Sequence, residues 1–143
     1  MKLTGVELRR IRMPLVAPFR TSFGTELDRQ VLLVRAVTDE SEGWAECVAM
    51  ADPLYSSEYA DAAADVLTRY LVPALLAAPR LDAVAVGPLL HKFKGHRMAK
   101  AALETAVLDA ELRAGGRTLG RELGAVHERV PCGVSVGIMG SIG

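Results

Sequence analysis

The side chains best suited to chemistry are few in this chain and widely spaced. His91-Lys92-Phe93-Lys94-Gly95-His96-Arg97 is its densest run of bases. Such a run can meet an anion, but its place just ahead of a helical pattern reads as a solvated loop. Cys47 and Cys132 lie far apart in apolar surroundings. That reads as two buried thiols in a reducing cytoplasm and not as a disulfide. With three histidines and two cysteines, none at ligand spacing, no zinc site is expected. Glu46 reads as structural and salt-bridged, because nothing local makes it an acid catalyst, and His127 reads as a surface residue. Two apolar groups stand out more. Phe19 and Phe23 fall within Pro18-Phe19-Arg20-Thr21-Ser22-Phe23-Gly24, among residues that otherwise form loops. Met50 and Tyr55 flank Ala51-Asp52-Pro53-Leu54, a second irregular stretch. From the residues alone, both groups read as ordinary core packing. As an alternative, each offers an aromatic or adaptable wall to a ligand.

The elements that position these groups follow from patterning. A chain of 143 residues, half of them hydrophobic, suits one domain with a core of its own. Leu3 to Met13 alternates like a strand, with Val6 and Leu8 on one face. Ile11, Met13 and Leu15 take the opposite phase, which predicts a bulge near Arg9-Arg10. Val31 to Thr38 and Trp44 to Ala49 read as a β-hairpin around the turn Asp39-Glu40-Ser41-Glu42-Gly43, with Trp44 in the core. Helices follow. Ser56 or Ser57 is the expected N-cap of a helix whose stripe runs Tyr59, Ala62, Ala63, Val66, Leu67, Tyr70 and Leu71. Asp65 and Arg69 pair on its outer face, and Pro73 ends or kinks it. Asp82 caps a short helix to Leu90. Arg97 to Ala114 is a long, alanine-rich helix stopped by Gly115-Gly116, and Leu119 to Leu123 forms a last short one closing at Gly124.

Val130 to Gly137 is of another kind. Val-Pro-Cys-Gly-Val-Ser-Val-Gly is small, β-branched and almost uncharged, as in a strand buried on both faces of a parallel sheet. A parallel strand needs neighbours reached by helical crossovers, and no further strand follows it here. The expected order is therefore a hairpin sheet, a helical bundle, and the first strand of a second domain.

Composition also excludes some partners. Equal numbers of acidic and basic side chains argue against a nucleic-acid binder. Met1 to Met13 carries four basic residues and no uninterrupted apolar stretch, so no signal peptide is expected, and no apolar run reaches membrane-spanning length. The expected location is the cytoplasm.

Five collinear segments carry a resemblance. They are Met13-Pro14-Leu15 with Pro18 to Gly24; Gly43-Trp44-Ala45-Glu46-Cys47; Tyr55-Ser56-Ser57-Glu58; Lys94-Gly95-His96-Arg97-Met98-Ala99-Lys100-Ala101-Ala102-Leu103-Glu104; and Val134-Ser135-Val136-Gly137-Ile138. Together and in this order, the chain resembles the N-terminal part of the enolase superfamily, in its muconate-lactonising subgroup. It is most similar to the o-succinylbenzoate synthases that also racemise N-acylamino acids, enzymes associated with menaquinone biosynthesis.

The resemblance implies an α+β capping domain over residues 1–126, and at 127–143 the start of a TIM-like (β/α) barrel. In that family, barrel lysines abstract and return a proton α to a carboxylate, and three acidic residues bind a divalent metal, usually Mg2+, that stabilises the enediolate. All of those groups would lie beyond this chain, so it would supply no catalytic residue and no metal ligand. Lys92-Phe93-Lys94 looks like the family's Lys-X-Lys pair, but it precedes a helix and does not end a barrel strand. What the chain would contribute is recognition of a small carboxylate substrate, an o-succinylbenzoate precursor or an N-acylamino acid. The family's two active-site loops match Pro18 to Gly24 and Met50 to Tyr55, making Phe19, Phe23, Met50 and Tyr55 substrate-binding candidates. Ser135, near the C-terminal end of the first barrel strand, is a fifth, with tight barrel packing as its alternative role. Family members often form homo-oligomers. Sibling enzymes, such as a dipeptide epimerase or a muconate-lactonising enzyme, stay open as alternatives. So does a non-catalytic α+β binding module.

Overall fold

The computed structural model describes residues 1–22 and 24–134. Three antiparallel strands in the order β1-β2-β3 form the sheet: β1 over Leu3–Thr21, β2 over Gly24–Thr38 and β3 over Glu42–Cys47. Thr38 closes the β2–β3 turn. Its hydroxyl donates to the Ser41 carbonyl at 2.7 Å and accepts from the Glu40 and Ser41 amides. The α+β architecture is as expected, but both strands of the first hairpin extend further than the pattern suggested. Phe19, Arg20 and Thr21 are in the ladder: Phe19 pairs with Glu26, Arg20 with Thr25 and Thr21 with Gly24.

The bulge also lies elsewhere. The β1–β2 ladder runs unbroken past Arg9 and Arg10, and its register shifts between Pro14 and Phe19. Two prolines without N–H groups bracket that interval, so ladder bonding fails there. Ile11 and Met13 take the opposite phase because they face outward, at 37% and 50% exposure.

The helices pack on one face of the sheet. α1 covers Ala60–Val66, and a wider π turn over Leu67–Leu71 leads into α2, Val72–Leu76. Pro73 therefore sits in the first turn of a further helical segment, where its missing N–H costs little, and does not end the path. The N-cap of α1 is Tyr59, not Ser56 or Ser57. α3 covers Ala83–Leu90 behind Asp82, whose carboxylate accepts from the Ala85 amide at 2.8 Å. α4 covers Arg97–Ala114 and α5 covers Leu119–Glu122.

The core lies between the sheet and α4. Leu32, Val34, Ala36 and Cys47 meet Ala99, Ala102, Leu103, Ala106 and Val107, with Leu67, Leu71, Leu75, Val86 and Leu90 closing the sides. Each fully buried leucine contributes roughly 1.5–3 kcal/mol. The alanines of α4 let the helix approach the sheet closely. At Gly43 the approach is extreme: a Cβ there would lie 2.1 Å from the Ala106 carbonyl oxygen and 2.2 Å from the Ala110 nitrogen. Asp109 strengthens the joint by accepting from the Trp44 amide at 2.8 Å.

Three further expectations are corrected. Trp44 is half-buried on the outer face of the sheet, with the Arg9 and Arg35 guanidinium groups each 5.5 Å from its ring. Cys47 is buried but Cys132 is exposed. Val130 to Val134 form no strand and are exposed, because no neighbouring strand lies beside them among the described residues. The remainder of the expected strand, 135–137, lies outside the described residues.

Candidate functional site

The far end of the β1–β2 hairpin reaches past the helices and turns beside the segment that leaves β3. That segment has little regular structure. The Ala60 amide donates to the Met50 carbonyl at 2.8 Å, and a parallel bridge joins Met50 to Tyr59. The residues between are thus held as a loop projecting beside the hairpin.

A groove of about 410 Å3 opens between hairpin, loop and the start of α4. Phe19 of β1 lies on one side, Met50 and Tyr55 of the loop on another, and Val48 and Met98 extend the apolar lining. Its polar lining comes from Thr21, Glu26, Arg29 and Ser56. A second hollow of about 240 Å3 shares Thr21, Glu26, Arg29, Met50 and Tyr55 with it, so the two adjoin. Phe19 is 53% exposed and Tyr55 72%, so these aromatics are not core residues of the described chain.

The structure brings together Phe19, Met50 and Tyr55, the three described residues among the five substrate-binding candidates. Phe23 and Ser135 lie outside the described residues. Sequence reasoning missed Val48, Met98, Arg29 and Glu26. Met98 belongs to a helix some forty positions from the loop it faces, and no local period signals that contact. Arg29 sits in the part of β2 that precedes the strand expected from Val31.

Charge around the groove is mixed. Asp28, in the second hollow, is paired with Arg12, whose hydrogen bond holds the carboxyl below its ordinary range. Arg29 has no carboxylate partner in ion-pair distance among the described residues. Cys47, on the core side of β3, has its thiol pushed up by burial. Among the described residues no three His, Cys, Asp or Glu side chains come together as a metal site. Lys92 and Lys94 are exposed in the loop between α3 and α4. What the groove can do is enclose an apolar group between aromatic and thioether surfaces and present a cation to an anion. Among the described residues no helix is long and apolar enough to cross a membrane.

Comparisons with known proteins give the family and the fold. Residues 4–124 match the family model of the mandelate racemase / muconate lactonizing enzyme N-terminal domain. The chain is 69% identical over 142 residues to an N-succinylamino acid racemase of Amycolatopsis sp, covering 99% of this chain and 39% of that relative. It is 38% identical over 138 residues to an o-succinylbenzoate synthase of Geobacillus stearothermophilus, covering 96% of this chain and 37% of that one. Among solved structures, an enolase-superfamily member from Listeria innocua superposes with a TM-score of 0.91 at 30% identity, over 99% of this chain and 38% of that chain. The chain thus spans well under half the length of the relatives it matches.

Proposed function

Since the chain belongs to the mandelate racemase / muconate lactonizing enzyme family, whose N-terminal domain it matches, we propose that it is the substrate-recognising cap of a metal-dependent o-succinylbenzoate synthase / N-acylamino acid racemase. The observation that carries this is the groove in which Phe19, Met50, Tyr55 and Met98 converge. An apolar, adaptable wall suits a succinylbenzoate ring or a hydrophobic amino-acid side chain. The racemase/synthase branch is favoured over a cycloisomerase by likeness: 69% identity to an N-succinylamino acid racemase against 29% to a chloromuconate cycloisomerase.

In this reading residues 1–126 are the cap and 127–143 lead into a barrel that carries the proton-transfer groups. The chemistry is removal of a proton α to a carboxylate, followed by dehydration or by return of the proton to either face. A divalent metal, Mg2+ in most relatives of this kind, supplies charge stabilisation to the enediolate. No residue of this chain is assigned to it. The chain's own part is to bind and orient the substrate's apolar end and to exclude water as the loops close. Phe23 and Ser135 are further substrate-binding residues of this reading, Phe23 toward the apolar group and the Ser135 hydroxyl toward the acyl or carboxylate end.

The test is to assay the full-length protein with Mg2+ for o-succinylbenzoate formation and for α-proton exchange in N-succinylamino acids. Both activities are expected. The isolated 143-residue chain is expected to catalyse neither. Exchange by the isolated chain, or no activity in the full-length protein, would sink the reading.

A further inference from the structure

One carboxylate ties the loop wall of the groove to the helix opposite it. Glu58 Oε1 accepts from the Arg97 amide at 2.6 Å, and Oε2 accepts from the Met98 amide at 2.9 Å. These N–H groups open α4 and have no partner inside the helix. Nothing local serves them. His96, just before the helix, holds a left-handed backbone (φ 53°, ψ 46°), and its side chain makes no capping bond. The other two capped helices serve themselves: Asp82 caps α3 and Thr118 caps α5. α4 instead takes its cap from 39 and 40 residues earlier in the chain. A carboxylate at that position also meets the positive end of the helix dipole, so the bonds are charge-assisted.

The same residue is anchored in the loop. The Glu58 amide donates to Ser56 Oγ, and that hydroxyl donates back to the Glu58 carbonyl, both at 3.1 Å. Tyr55 and Ser56 on the loop, and Met98 on the helix, line one groove. We infer that Glu58 is a positioning residue for substrate selection. Its two-point grip on α4 sets the spacing between Tyr55 and Met98, and with it the size of side chain the groove admits. The grip stands on the geometry alone, whereas its consequence for selection rests on the function proposed above.

The experiment uses the full-length protein with Glu58→Ala, Glu58→Gln and, as control, Asp82→Ala, which removes the cap of α3 and lies away from the groove. Two readouts are needed: hydrogen exchange in segments 50–57 and 96–99, and KM and kcat for N-succinyl substrates with large and small side chains. Glu58→Ala is expected to speed exchange in both segments and to raise KM for the phenylalanine-sized substrate about tenfold, the scale of a lost charged cap. The alanine-sized substrate is expected to be nearly unaffected, and kcat to stay within about threefold. Glu58→Gln, which keeps one acceptor oxygen, is expected to fall between. Asp82→Ala is expected to lower the Tm without touching either readout. Unchanged exchange in Glu58→Ala overturns the grip whatever the activity. A KM rise equal for both substrates, or shared by Asp82→Ala, overturns the selection role. A wild-type protein inactive on both substrates overturns the proposed function, and the exchange result still decides the grip.

Discussion

The two ends of the sheet use apolar residues in opposite ways. At the base, Val34, Ala36, Leu103, Val107 and Ala110 are 0% exposed. At the tip, Phe19 is 53% exposed, Leu27 64% and Tyr55 72%. β1 and β2 run on to the tip past the register shift at Pro14 to Phe19, so the difference lies mainly in what covers them. It comes from α4, which covers the base and leaves the tip open. Apolar content therefore does not by itself identify core. Where it stays exposed as a contiguous lining, it marks a surface available for contact.

The sharpest way to break this contrast is at Gly43. A methyl group there meets backbone atoms of Ala106 and Ala110, which cannot rotate away as a side chain can. Gly43→Ala is expected to cost about 3 kcal/mol or more, as overpacking against fixed neighbours does. Urea unfolding monitored through Trp44, the chain's one tryptophan, measures it. A loss below about 1 kcal/mol would mean that α4 is not held against β3 as described.

The tip should respond in the opposite sense. Phe19→Ala and Tyr55→Ala remove exposed rings, so unfolding stability is expected to stay within about 0.5 kcal/mol of wild type. In the full-length protein the same changes are expected to lower kcat/KM for hydrophobic N-succinylamino acids by about tenfold or more, the scale of a lost apolar pocket contact. A core-like stability loss with unchanged kinetics would merge the two regions and remove the groove's claim to be a site.

The base was largely legible in sequence and the tip was not, for physical reasons. α4 falls where its small-residue pattern and the Gly115-Gly116 stop predict, and Asp82 caps α3 as expected. Those signals act within a turn or two of chain. The length of the hairpin arm was not legible, since Pro14 and Pro18 have no N–H for a ladder, yet an edge strand accommodates them by shifting register. Ser56 looks like an N-cap by residue type, but its hydroxyl is engaged with Glu58. Met98 and Arg29 join the groove only through contacts distant in sequence. Phe19, Met50 and Tyr55 emerged by resemblance to a family, since by residue type alone they read as packing. Val130 to Val134 shows the limit of composition: a sequence fit for a buried strand is exposed where no strand pairs with it among the described residues.

The smallest expected effect tests the outer face of the sheet, where Arg35 pairs with both Glu7 and Glu42 beside Trp44. Hydrogen bonding to Arg9 and then Arg35 holds the Glu7 carboxyl below its ordinary range, and bonding to Arg35 does the same for Glu42. In the unfolded chain both return to ordinary values near about 4.3. The unfolded state therefore binds these protons first as pH falls, and protonation favours unfolding. The stabilisation is present in full near neutrality and is lost as pH drops through and below that range. Because both groups are open to solvent, screening keeps the effect small and salt-sensitive. Glu42→Gln is accordingly expected to lower the Tm slightly at pH 7 and by less as the pH falls toward 3, and the pH 7 difference is expected to shrink in 1 M salt. Thermal unfolding across that pH range checks it. A deficit that does not shrink as the pH falls would show Glu42 acting through packing against Trp44, making this face more like the base of the sheet than its charge suggests.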